Sequence, residues 1–419
     1  MNSMEKYSLW SLAKHALTGH RNWPPAWRTV RPKNRYDVVI IGGGGQGLAT
    51  AYYLAKQHGI TNVAVMEKGW IGSGNSGRNT TAVRSNYFYP ESTNFFEHSL
   101  KLYEGLTREL NYNIQLSQHG ILTLAHSPHQ MDLLRRWSNS IQLQRIDAEM
   151  MDIGQICDYM PALDTSRRAR YPILGGFVQR RAGTARHDAV VWGYARAADS
   201  LGVDIAQNCE VTGIRVVGNR VRGVETRDGF IEADKVAITV AGHSSVVAGM
   251  AGLKLPITSV PLQAMVSEPV KPVLTGILLS PLVHAYVSQS DRGEILVGGR
   301  TDSYPSYGQR GALPATEDVL SALLNLFPSF SRLKLMRQWA GIVDISPDSS
   351  PILGKTPMTG LYVSAGWGTG GFKAIPAGGD TLAYTIAHDR QHPLIEPFGL
   401  ERFVTGRFVD EGAAAGVNH

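Results

Sequence analysis

The sequence predicts an α/β fold in which a discontinuous, doubly wound dinucleotide-binding domain carries an inserted, mainly antiparallel sheet domain. Two observations predict it. Strand–glycine turn–helix signals of nucleotide-binding type stand near both ends of the chain, at 36–67 and 360–388, and short strand-like runs lie between them. The composition agrees. The 419 residues suffice for two or three domains, and 45 Gly without a Gly-X-Y period, beside 43% hydrophobic residues, exclude collagen, a coiled coil and wholesale disorder.

Residues 1–35 form a basic arm. Seven basic residues against one acidic account for the whole net charge of +6, so the rest of the chain is balanced and is not a nucleic-acid surface. The arm also carries Trp10, Trp23 and Trp27, and it is expected to dock on the body or on a partner subunit; a partly disordered tail is the competing reading. Residues 36–41 (YDVVII) read as a buried parallel strand, 42–47 (GGGGQG) as a turn, 48–57 as a helix stopped by Gly59, and 62–66 as a second strand ending at Glu67. Helices are expected over 147–161 and 188–201, the second with Asp188 as N-cap. Strands follow at 203–206, 211–216, 221–226 and 234–240, with a turn at Gly218-Asn219. Strand-like runs at 285–288 and 294–298, a helix at 317–326, a strand at 360–365 and an apolar helix at 378–388 complete the reading.

Within the turn, Gly42, Gly44 and Gly47 fit the G-x-G-x-x-G fingerprint, and Glu67 lies 20 residues beyond Gly47. The first glycine makes the turn, the second lets the backbone approach a pyrophosphate, and the third packs helix on strand. The unpaired N–H groups of the helix N-terminus favour that anion. Glu67 can accept from both ribose hydroxyls and would repel a 2′-phosphate, which favours the ADP-ribose of FAD or NAD over NADP. The second glycine cluster, Trp367 to Lys373 (WGTGGFK), again precedes a helix and offers backbone donors to a ring that gains negative charge on reduction, as an isoalloxazine does. A plain helix cap is the competing reading. Between the clusters lies the polar loop 74–81 (GNSGRNTT), suited to close approach of a cofactor, followed by Arg84. Arg84 and Lys373 are the candidate anion clamps, with ordinary surface charge as the alternative.

The runs YDVVIIGGGGQGLATAYYLAKQHGITNVAVMEKGW, ARHDAVVWGYARAADSLGVDIAQNCEVTG, AGHSSVVA and GWGTGGFK resemble the β subunits of heterotetrameric sarcosine oxidases over nearly the whole length. The resemblance implies the fold of D-amino-acid oxidase, with an FAD-binding domain at 36–110, 185–258 and 350–395. It places a substrate and interface domain at 111–184 and 259–349 and a tail at 396–419. It further implies noncovalent FAD, an FMN joined covalently to His187 at the interface with an α subunit, and NAD held by that subunit, in a complex with α, γ and δ subunits. Gly45, Gln46, Glu67, Asn75, Thr80, Thr81, Val83, Val211, Gly368 and Gly371 fall on cofactor contacts, Lys373 on an FMN or carboxylate contact, and Arg84 with Lys373 on the clamp for the substrate carboxylate. The chain departs from the family at its basic extension and at Gln46 and Ala189, where some relatives carry histidine. The implied activity is oxidative demethylation of sarcosine: with O2 and water, or with tetrahydrofolate, to glycine, formaldehyde or 5,10-methylenetetrahydrofolate, and H2O2. A dimethylglycine, glycine or opine oxidase or dehydrogenase subunit is the alternative, and a flavin-carrying electron-transfer subunit without its own substrate pocket the more distant one.

His187 precedes a helix whose positive end favours neutral imidazole, the form able to attack a flavin carbon; an ordinary loop histidine is the reading without the resemblance. His388 and His392 lack the carboxylate of an H-E-x-x-H site, so no metal is expected. His243 and His284 are candidates to line the cofactor region and Tyr171, Tyr286 and Trp367 to shape a small pocket, although core packing suits each as well. Cys157 and Cys209 are too few for a disulfide framework, which points to a reducing cytoplasm. No apolar run has the length of a membrane span, and the N-terminus lacks the apolar core of a secretory signal.

Overall fold

The β-branched run before the fingerprint becomes the strand Arg35–Ile41 at the heart of a mixed sheet whose central strands run parallel. This is seen in a computed structural model that describes residues 9–21, 23 and 25–409. The strand pairs in parallel with Val63–Met66 on one side and Gly229–Ile238 on the other. Outward from these, Asp204–Ala206 joins one edge, Leu361–Ala365 and then Ile352–Lys355 the other. The central strands read as unbroken apolar runs because both faces are covered. Val38 and Ile40 enter a core with the helices Gly45–His58, His187–Ser200 and Ile375–His388, while Val39 and Ile41 enter a second core with the strands Val211–Val217 and Arg220–Thr226. The hairpin between those two strands turns at Gly218 and Asn219, both at positive φ, as the sequence predicts.

The second sheet has the order Leu335–Ile345, Thr258–Pro269, Glu294–Thr301, Ala285–Gln289, Ile277–Ser280, Ile121–Ala125, Gly175–Gln179, Glu149–Met151. It is antiparallel except where Ile277–Ser280 lies parallel to Ile121–Ala125. Two helix expectations change. The stretch 147–161 divides into the strand Glu149–Met151, paired with Phe177 and its neighbours, and the helix Ile153–Tyr159, because Asp152 and Gln155 form a capping box that starts the helix afresh. Asp188 is not an N-cap. The helix begins at His187, and the Asp188 carboxylate instead accepts from the Ala189 N–H and from Arg186.

The arm divides in two. Trp27 packs on the first core, Arg28 bonds Asp199 at 2.9 Å, and Lys33 reaches Asp204 at 3.2 Å, so residues 27–35 dock on the body. The helix Leu9–Leu17 buries none of its residues, and Trp10 is 77% exposed. Residues 1–8, with Lys6 and Glu5, lie outside the described residues, as do 410–419 of the expected tail. Among the described residues no helix is long and apolar enough to cross a membrane.

Near the C-terminus, Arg402 donates to Asp348 at 2.7 and 2.9 Å with both side chains almost wholly buried. Burial pushes the Asp348 carboxyl up, but the hydrogen bonds and charge of Arg402 outweigh it and hold the group below the usual carboxylate range. Its contribution to stability is therefore full at neutral pH and is lost as acid carries the pH down through that lowered value. Arg402→Met, which strands the carboxylate, is expected to cost about 3–5 kcal/mol, read as a lower denaturation midpoint at neutral pH that converges toward the wild type in acid.

Candidate active site

The fingerprint glycines are fixed by lack of space. A Cβ on Gly47 would lie 2.1 Å from the Gly42 carbonyl oxygen, and one on Gly42, whose φ is +113°, would lie 2.6 Å from the Thr239 oxygen. Gly44, extended at the helix N-cap, has only the Ser76 hydroxyl nearby, so the N-terminus of the helix is open to an anion. Ser76 accepts the Gly45 N–H at 2.9 Å. Glu67, at the end of its strand, accepts the N–H of Gly43 through one carboxylate oxygen and that of Gly69 through the other, each at 2.8 Å. Val211 stands two residues past Cys209, whose N–H donates to the Glu67 carbonyl, and is buried in the core on that side.

The two glycine clusters meet. Gln46 Nε2 donates to the Gly371 carbonyl at 2.9 Å, while Gln46 Oε1 is buried without a partner. Gly378 and Gly379 permit this closeness, since a Cβ on either would strike Gln46 or Ala49. The loop 74–81 lies against the second sheet: Asn75 accepts the Ile342 N–H at 2.9 Å and donates to its carbonyl, and Trp339 donates to Arg78. Thr81 sits at φ +65°, a strained value for a β-branched residue, held by the bond from its N–H to Asn79 and by the Ala185 N–H on its carbonyl. Val83 is buried and pairs with Gly183.

Between the sheets lies a cavity of about 330 Å³ lined by Gln46, Asn75, Thr80, Arg84, Gly368, Gly371 and Lys373 among the expected residues. Gly42, Gly44, Gly45, Gly47, Glu67, Thr81, Val83, Val211 and His187 are not in its lining. Arg84 donates to Asn86 Oδ1 at 2.7 Å and lies over the Tyr87 ring at 4.5 Å. Lys373, buried, donates to the Thr369 carbonyl at 2.8 Å. Burial first, and the Arg84 charge second, hold its ammonium well below the usual lysine value. Two cations so placed are stabilised by an incoming anion. Tyr286, His284 and Trp367 line the cavity, whereas Tyr171 and His243 do not; the His243 ring faces Tyr307 instead. Burial pushes the Tyr286 phenol up to about 12, against the lowering effect of its hydrogen bond with Thr80.

Several contributors escape sequence reasoning. Gln179, fully buried, accepts the N–H groups of Ser85 and Asn86 and thereby fixes the backbone just after Arg84. Asp344 lines the cavity and accepts the Gly366 N–H. Neither belongs to a motif; Ser76 alone lay in a loop singled out for its small polar residues. His187 is the first residue of its helix, with Nδ1 buried and without a partner. Burial, before the opposing Asp188 charge, lowers its pKa and favours neutral imidazole.

The family described as FAD dependent oxidoreductase matches residues 37–385. The chain is 51% identical over 416 residues to the sarcosine oxidase subunit beta of Rhodobacter capsulatus, covering 99% of this chain and 100% of that one. It is 52% identical over 406 residues to the protein of the same description from Rhizobium meliloti, covering 97% of each. Among solved structures, L-proline dehydrogenase from P. horikoshii superposes with a TM-score of 0.84 at 24% identity, over 90% of this chain and 99% of that one. Glycine oxidase from Geobacillus kaustophilus gives 0.79 at 23%, over 88% and 99%. These structures share the expected architecture, a mixed cofactor sheet beside an antiparallel one.

Gly47→Ala is expected to yield a chain that folds but retains less than about a tenth of the bound dinucleotide, since even a methyl group would push the helix off its strand. The amount of dinucleotide released from the denatured chain, per purified chain, measures it.

Proposed function

The chain belongs to the FAD-dependent oxidoreductases and, among them, to the sarcosine oxidase β subunits, and from that membership we propose that it performs oxidative demethylation of sarcosine as the flavin-bearing subunit of a multi-subunit enzyme. The observation that carries the reading is the convergence of Arg84 and Lys373 on the cavity where the two glycine clusters meet.

The residues fit FAD. The open helix N-terminus at Gly44 and the carboxylate of Glu67 suit its ADP-ribose. Gly42, Gly45, Gly47, Thr80, Thr81, Val83, Val211 and Gly368 complete the proposed binding set. Asn75, whose amide is taken by Ile342, would act by holding the loop. When bound, FAD supplies the hydride acceptor. Arg84 and Lys373 would receive the substrate carboxylate, Asn86 and Tyr87 fixing the guanidinium and the Thr369 carbonyl the ammonium. Binding thus supplies orientation. The cationic pair also lowers the pKa of the substrate amine and eases loss of its proton. Phe96, Trp137, Ile121, Ile277 and Leu279 line the same cavity and limit water.

Covalent FMN at His187 is part of the proposal, supported by the buried free Nδ1 and the preference for neutral imidazole. Electrons would then leave through the FMN to O2, giving H2O2. NAD on an α subunit, and γ and δ subunits, belong to the same proposal. The exposed apolar side chains of Leu9–Leu17 suit a partner surface. Cytoplasmic location is proposed from the cysteine content alone.

Arg84→Ala and Lys373→Met, in the assembled complex, are each expected to raise the sarcosine KM by about ten- to a hundredfold with flavin retained; steady-state kinetics near those of the wild type in both would remove the clamp. Because the Lys373 charge is lost at lower pH than for a free lysine, KM should climb as pH rises through that lowered value, and this inflection should vanish in Lys373→Met. His187→Ala should abolish acid-stable flavin, checked by the intact mass of the denatured chain; an FMN-sized adduct surviving in the variant would move the attachment elsewhere.

A further inference from the structure

One buried carboxyl in the cavity takes no part in the binding described above. Asp344 is 1% exposed, stands next to the last residue of the strand Leu335–Ile345, and lines the cavity with Gly366, Trp367 and Gly368. Its Oδ2 accepts the Gly366 N–H at 2.6 Å, and its carbonyl accepts the Gly368 N–H at 2.9 Å. Among the described residues it makes no ion pair. The elements packed on it bring few other titratable groups. Neutral Ser259 is its partner on the adjoining strand, the Ala241–His243 turn carries His243, and the 74–81 loop carries Arg78. Lys373 and Arg84 line the same cavity, and Asp348 is committed to Arg402. Burial pushes the Asp344 carboxyl up, the turn's N–H groups pull it back, and it rests at about 7. A carboxyl held by amides alone, without a cation to fix its charge, changes state when the charge of its surroundings changes.

We propose that Asp344 is the redox-linked proton site of this cavity, taking up one proton when the cofactor held at the Gly366–Gly371 turn gains two electrons and releasing it on reoxidation. This rests on the reading that FAD lies against that turn. The balance closes within the proposed reaction. The N-methyl C–H bond breaks and its electron pair leaves with the hydrogen as hydride to the cofactor, which gains one negative charge. The substrate ammonium gives up one N–H proton to Asp344 and, after losing the hydride, becomes the iminium. The summed charge in the cavity is the same before and after, which is what a buried site requires.

The test reduces the intact complex electrochemically without any amine, so that the identity of the substrate does not enter. The reduced-minus-oxidised infrared spectrum near neutral pH is expected to gain a protonated-carboxyl band that shifts on 13C-aspartate labelling and is missing from Asp344→Asn. The flavin midpoint potential should fall with pH more steeply in the wild type than in Asp344→Asn, by up to tenfold in the reduced-to-oxidised ratio per pH unit, about 30 mV for a two-electron couple. Absence of the band from the wild type, or band and slope persisting in Asp344→Asn, overturns the proposal. Should that variant lose its flavin, Asp344→Glu decides: the band must move from the 13C-aspartate to the 13C-glutamate label, and a band left with aspartate overturns it. A complex with no reducible flavin sinks the cofactor reading as well, whereas a reducible flavin without the band sinks this inference alone.

Discussion

The hydrogen bond from Gln46 to the Gly371 carbonyl joins residues 325 positions apart, and the site depends on the contact it marks. The bond itself is worth little; what makes it possible is the packing of Gly45–His58 on Ile375–His388, where Gly45, Gly378 and Gly379 stand at positions whose Cβ would strike Ile375, Gln46 or Ala49. Closing so long a loop is not prohibitive, because the entropic cost grows only with the logarithm of its length. Burial of the two apolar helix faces in one core offsets it. Once the ends meet, the first cluster offers a helix N-terminus and the second a turn of backbone donors.

Charge is distributed around this contact by the same logic of burial. Glu67 has both oxygens satisfied by backbone N–H groups and holds its place without a cation. Lys373 has a single carbonyl partner and stands near another cation, so the cavity favours an anion. Unsatisfied buried atoms gather nearby as well: Gln46 Oε1 and Thr123 Oγ1 belong to residues of the cavity lining.

The second sheet is more than a lid. Asn75 grips both backbone groups of Ile342, and Trp339 reaches the Arg78 carbonyl, so the loop after the βαβ unit is tied to the far sheet. The strain at Thr81 is sustained by the bonds of its own N–H to Asn79 and of its carbonyl to the Ala185 N–H. Gln179, on a strand of the second sheet, fixes the backbone beside Arg84 and so ties the residues that follow the guanidinium to that sheet.

The fingerprint, its strand and helix, and the acid at the second strand's end were legible in the sequence because each follows from local rules: a tight turn needs glycine, a helix N-terminus follows it, and a parallel strand buried on both faces is apolar throughout. Arg84 and Lys373 could be named as cations but not placed. Local reading misjudged 147–161 and Asp188, where capping competes with strand pairing over only a few residues. Asp344, Gln179 and the Thr369 carbonyl were invisible, since an aspartate in a strand or a glutamine at its end carries no signature until register sets it against a particular backbone N–H. Periodicity and turn chemistry act between near neighbours along the chain; burial, pKa and partnership are set by neighbours in space, and only the packed sheets bring those together.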